Sequence, residues 1–182
     1  MNRKPNIHGG GAKTNFNGLS FEKRTDFLES LKQHQKIKVI AKNGYSEIYH
    51  ANMLQGYYTD KNYFYKFFLD KEKVNWKKLI SKKYLPDAVF INKLNNTIYI
   101  IEKKFQAGSG SVDEKLQTCD FKKKIYTKLI NHCKNKYTTE YYYLLNDFFL
   151  QKKYKDVKNY IKSVNCKFFI NKINFYELGI ST

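Results

Sequence analysis

Two carboxylates and an amine stand at positions from which they could act together on a phosphate. Asp87 follows Pro86, and 15 residues later comes the triplet Glu102-Lys103-Lys104. Side chains alternate across an extended strand, so Glu102 and Lys104 share one face and Lys103 takes the other. Carboxylate oxygens suit magnesium, a hard cation held by one or two acids while it keeps several waters. Such a metal polarises a phosphodiester and lowers the pKa of a bound water. An ammonium beside it orients that water and offsets charge developing on the phosphorus oxygens. An acid-x-lysine triplet alone carries little weight, since acids and lysines near strand ends are usually solvated surface. The weight comes from the elements around it.

Ala88-Val89-Phe90-Ile91 and Ile98-Tyr99-Ile100-Ile101 are β-rich runs on either side of Asn95-Asn96. Asparagine tolerates the positive φ of a tight turn, so these residues predict a hairpin that folds Asp87 back towards Glu102 and Lys104. Residues 106–110 read as a loop. Ser111 with Glu114 three residues later makes a capping box and predicts a helix start. Val112, Leu116, Cys119, Tyr126, Ile130 and Cys133 then recur at spacings of three and four, interrupted only at Lys123.

Upstream, Phe21, Phe27, Leu28 and Leu31 predict a helix running to about Gln33. A strand is expected at 37–41, a turn at Asn43-Gly44, and a second strand or extended segment at 47–58. Residues 59–83 are aromatic and basic, hold the only tryptophan, Trp76, and predict no particular structure. Downstream, 140–145 reads as a strand, 148–163 as a helix and 166–170 as a last strand. The order is that of an α/β protein in which an antiparallel hairpin is joined by a helical crossover to a further strand. Residues 1–18 read as a flexible, glycine-rich arm centred on Gly9-Gly10-Gly11. Residues 19–182 contain no linker or repeat and read as a single domain, the size expected of one folding unit.

Charge points to the partner. The chain has 34 Lys and Arg against 16 Asp and Glu, a formal net charge of +18, which concentrates polyanions around it. The competing explanation is coding bias, because a lysine-rich, arginine-poor composition is also the mark of an AT-rich genome. Cys119, Cys133 and Cys166 form no CxxC pair, and His132-Cys133 alone supplies no zinc site. They read as reduced thiols of an intracellular protein. His8, His34, His50 and His132 have no neighbours that suggest a site. No apolar run is long enough to cross a bilayer and no signal-peptide core is present, so a soluble, cytoplasmic protein is expected.

Pro86-Asp87 followed by Glu102-Lys103-Lys104 at the end of the next strand resembles the PD-(D/E)xK nuclease superfamily. Within it, Lys103-Lys104-Phe105-Gln106, the segment from Gly110 to Thr118 and the stretch ending Asn17-Gly18-Leu19-Ser20-Phe21-Glu22 resemble small type II restriction endonucleases. The resemblance covers roughly residues 19–146. It implies a restriction-endonuclease-like core (αβββαβ), a central mixed sheet flanked by helices. It further implies that Asp87 and Glu102 bind Mg2+, with Mn2+ as a substitute, and that the Lys103 main-chain carbonyl is a further metal ligand. Lys104 then positions the attacking water. Glu22 matches the additional acid that many members carry near the metal, although a solvated acid in a first helical turn explains it equally well.

The 182 residues leave little room for a separate sequence-reading domain, so DNA contacts are expected from loops and arms of the core. The candidates are Lys13, Asn15 and Asn17 in the arm, Gln106 beside the centre, and Lys115 and Gln117 near the helix start. The basic, aromatic stretch 57–83 is a further candidate, read equally well as core with a solvated basic face. The expected activity is a magnesium-dependent endonuclease cutting double-stranded DNA at a short site, of type II restriction character. It is expected to act as a homodimer, because symmetric cutting needs two centres about a two-fold axis. A cognate methyltransferase would act in the host and not as a stable subunit. The alternatives are a structure-selective nuclease (a junction resolvase or repair endonuclease) and a non-catalytic basic DNA-binding module.

Overall fold

A computed structural model describes residues 20–21, 25–108 and 112–180 of the chain. Its frame is one seven-stranded sheet in which sequential strands are spatial neighbours throughout. Strands β1 (Ile37–Lys42), β2 (Tyr45–His50), β3 (Met53–Thr59), β4 (Ala88–Asn92) and β5 (Thr97–Lys104) form an antiparallel meander. Strands β6 (Thr138–Leu145) and β7 (Lys167–Ile170) then add in parallel beyond β5. The architecture is α/β, a mixed sheet with flanking helices, as the sequence order implies.

Alternation along the three central strands builds two cores. Val89, Ile91, Ile98, Ile100, Tyr141, Tyr143 and Leu145 bury on one face. Ala88, Phe90, Tyr99, Ile101, Tyr142 and Leu144 bury on the other. Strands buried on both faces are expected where helices cover both sides of a sheet. Helix α1 (Phe27–Lys32) packs Phe27 and Leu31 on the second face. Helix α2 (Lys61–Tyr63) runs on into a π-helix at Phe64–Leu69, whose Phe64, Tyr65, Phe68 and Leu69 fill the first face. Helices α3 (Val112–Leu116) and α4 (Cys119–Ile130) form the crossover between β5 and β6 over that same face, and α5 (Lys155–Ser163) links β6 to β7.

The hairpin closes through residues 93–96, with Asn96 at φ 52°. Asn92 Oδ1 accepts from the Leu94 and Asn95 amides, and Asn95 Oδ1 accepts from the Thr97 amide. The asparagine signal was therefore the right one, with side chains as well as backbone making the turn.

Several expected elements are shorter or divided. The first helix does not run unbroken from Phe21, because Asp26 caps a new start and accepts from the Leu28 and Glu29 amides. The extended segment 47–58 is two strands, turning at Ala51 and Asn52, both at positive φ. The crossover helix breaks at Gln117-Thr118 and continues through Lys123. The helix expected at 148–163 is α-helical only from Lys155, after two short 3₁₀ turns. The helical cap at Ser111 lies outside the described residues. Among the described residues five antiparallel strands precede the crossover, where the resemblance implies three.

Candidate active site

The register of the hairpin sets the site. Ala88 pairs with Ile101 and Val89 with Ile100, so one further step places Asp87 opposite Glu102. Parity keeps Asp87 on the Val89 face and carries Glu102 and Lys104 along the Ile98–Ile100 face, the side covered by α4. Lys103 emerges on the opposite face, lining a groove with Phe27, Ser30 and Lys172.

The contacts are close. The Lys103 amide donates to Asp87 Oδ2 at 2.8 Å, locking the strand start to the strand end. Lys104 Nζ lies 2.9 Å from Glu102 Oε2, 3.5 Å from Asp87 Oδ2 and 2.9 Å from the Lys103 carbonyl. Glu102 is buried, with a side chain only 3% exposed, while Asp87 is 31% exposed. Burial alone would lower the Lys104 pKa, but the Glu102 and Asp87 carboxylates outweigh it and the net shift is upward. Lys104 is therefore an ammonium at neutral pH, able to orient and neutralise but not to accept a proton.

The approach to Asp87 is pinned by aromatic hydroxyls. Tyr65 and Tyr126 both donate to the Tyr84 carbonyl, at 2.8 and 3.1 Å, and the Tyr84 amide donates back to the Tyr65 hydroxyl. The Pro86 carbonyl accepts from the Lys61 amide at 2.9 Å. Beside this segment Leu85 and Phe121 are exposed, with Phe121 edge-on to Tyr84.

Lys122 of α4 also reaches the site, its Nζ 3.0 Å from Glu102 Oε2. Sequence reasoning missed it, although a signal was present. Cys119 and Tyr126 are buried α4 positions, and Lys122 sits three residues after one and four before the other. It therefore occupies the sheet-facing stripe where an apolar residue would be expected.

The other candidates are scattered. Gln106 is buried, its side-chain amide turned to the Gly108 carbonyl and its backbone amide held by Asn146. Lys115 and Gln117 are exposed on the crossover, where the Lys115 carbonyl accepts from the Tyr143 hydroxyl. In the stretch 57–83, the buried Phe64, Tyr65 and Phe68 are core. Lys71 there lies over Tyr57 and Phe67, and Lys83 over Tyr65 and Trp76. Glu22, Lys13, Asn15 and Asn17 lie outside the described residues.

Among the described residues, no group of three or more His, Cys, Asp or Glu comes together to hold a metal. Among the described residues the carboxylates brought together are Asp87 and Glu102. One observation favours a cation there: Glu102 Oε1 is buried and has no hydrogen-bond partner among the described residues, a costly arrangement for a carboxylate oxygen. Two acids and the Lys103 carbonyl fit a hard dication that draws its remaining ligands from water and phosphate.

No protein-family model, curated protein or solved structure matches this chain. Among the described residues no helix is long and apolar enough to cross a membrane.

Proposed function

We propose that this chain is a divalent-metal-dependent endonuclease that hydrolyses DNA phosphodiester bonds with Asp87, Glu102 and Lys104. The observation that carries this reading is the hairpin register, which sets the two acids opposite each other and lets one ammonium bridge them. Asp87, Glu102 and the Lys103 carbonyl would hold Mg2+ or Mn2+, which supplies a polarised phosphate and an activated water. Lys104 holds the carboxylates in place and neutralises charge on the reacting phosphate. The +18 net charge supplies the attraction to a polyanion.

On this reading β3, β4, β5, α4 and β6 are the βββαβ part of a restriction-endonuclease-like core, with α1 ahead of it. β1, β2 and β7 widen the sheet at its two edges. Duplex DNA cut at a short site, with two copies related by a two-fold axis, is the substrate and assembly that fit best. Incubation of a mixed-sequence plasmid with the full chain and Mg2+ tests the proposal. Discrete bands are expected, abolished by EDTA. Asp87→Ala, Glu102→Ala and Lys104→Ala should each lower the cutting rate by about a hundredfold or more, the scale of losing one preorganised charge. Variants that retain DNA binding but lose cutting support the assignment. A parental chain that binds DNA and cuts nothing with any divalent cation leaves only a binding module.

A further inference from the structure

We infer that Lys122 is a positioning residue that competes with a divalent cation for Glu102 and turns to the substrate phosphate once the cation is bound. The inference rests on the nuclease reading above.

Glu102 Oε2 already meets two ammoniums, Lys104 at 2.9 Å and Lys122 at 3.0 Å. A metal ion taken up by the same carboxylate, at its unpartnered Oε1, is a third cation within a few ångströms, and close cations repel. One ammonium must withdraw. Lys104 is anchored by two further acceptors, Asp87 Oδ2 and the Lys103 carbonyl. Among the described residues, the Lys122 ammonium has only Glu102. Lys122 is therefore the one that yields.

Its placement gives it somewhere to go. The side chain is a quarter exposed, and its neighbour on α4, Phe121, is exposed. A flexible four-carbon stem lets the ammonium swing through several ångströms while its Cα stays fixed in the helix. The formal charges of Asp87, Glu102, Lys104 and Lys122 cancel. A dication takes the cluster to a net charge of about +2, and a phosphodiester, a monoanion, brings it part of the way back. Lys122, displaced from Glu102, then has the incoming phosphate oxygens as its nearest anions. Metal and substrate uptake are coupled through one side chain.

Mn2+ binding to the full chain, read by isothermal titration and by electron paramagnetic resonance, tests this apart from cleavage. Lys122→Met removes the competitor, and the Mn2+ Kd should fall about tenfold or more, as expected for removing a unit charge a few ångströms from a metal. At saturating Mn2+, Lys122→Met should raise the KM for plasmid and lower kcat, and Lys122→Arg should restore most of the cutting. Lys124→Met, on the same helix but paired outward with Asp120, should match the parent on every count. Should Lys122→Met lose its fold by circular dichroism, Lys122→Arg still decides. It keeps the competing charge, so its Mn2+ affinity must stay at or below the parental value, and a tightening overturns the inference. Unchanged or weaker Mn2+ binding by a folded Lys122→Met overturns it too, while parental binding and cutting leave the nuclease reading standing. A parental chain that takes up no Mn2+ overturns both.

Discussion

Glu102 is the residue on which the site turns, because it is the most buried of the four charged groups and shares one oxygen between two ammoniums. A buried acid is tolerated only when its charge is compensated, and removing one partner of such a cluster strands the others. Glu102→Gln keeps the volume and removes the charge. It should lower the urea unfolding free energy by about 1–3 kcal/mol, the range for uncompensated buried groups. Equal or greater stability would show that both lysines find other partners at no cost. The Asp87–Glu102–Lys104 constellation was legible in sequence because period-two alternation and a turn signal are local rules. Lys122 was not, because its contact spans a loop and the packing of α4 on the sheet. Only its spacing, three residues after Cys119 and four before Tyr126, hinted at it.

At the scale of elements, the site depends on how the segment before β4 is held. The Tyr84 carbonyl takes hydroxyls from Tyr65, in the π-helical segment, and from Tyr126, on α4, so two elements far apart in sequence fix the strand entry. Tyr65→Phe and Tyr126→Phe should each cost about 1 kcal/mol, the net worth of one hydrogen bond, and the double variant more than the sum because the carbonyl is then left unsatisfied. The double variant should also cut DNA more slowly than either single one, since Asp87 is three residues away. Parental stability and cutting in the double variant would remove the clamp from the account. None of this was foreseeable from 59–83. A π-helix has no periodic signature distinct from an α-helix with an inserted residue, and its aromatic residues fit core and surface readings alike.

The molecule as a whole carries an alkaline limit. Burial pushes the phenol pKa up at Tyr58, Tyr126, Tyr141, Tyr142 and Tyr143, and to about 12 at Tyr65 and Tyr137. Lys104 also shifts upward. A group whose folded pKa lies above its unfolded value contributes fully below the unfolded value and loses that contribution as pH rises towards the folded one. Unfolded tyrosine and lysine titrate at about 10 and 10.4. Stability measured by denaturant at pH 8, 9, 10 and 11 should therefore be level to about 9.5 and fall steeply beyond it. Phenolate absorbance should appear together with unfolding, lagging the titration of free tyrosine. Phenolate that develops in full at pH 10 with the fold intact would contradict the packing of these rings.

By itself the sequence determined what neighbouring residues decide. It set the faces of β4 and β5, the asparagine turn between them, the opposition of Asp87 to Glu102 and Lys104, and the α/β order. Alternation and turn chemistry act over a few residues and leave little freedom. The tertiary structure alone decided the sheet's full width, the helix breaks at Asp26 and Gln117-Thr118, the burial of Gln106 and the arrival of Lys122. Each of those depends on which surfaces compete for burial once the chain has closed, and that competition involves residues tens to scores of positions apart.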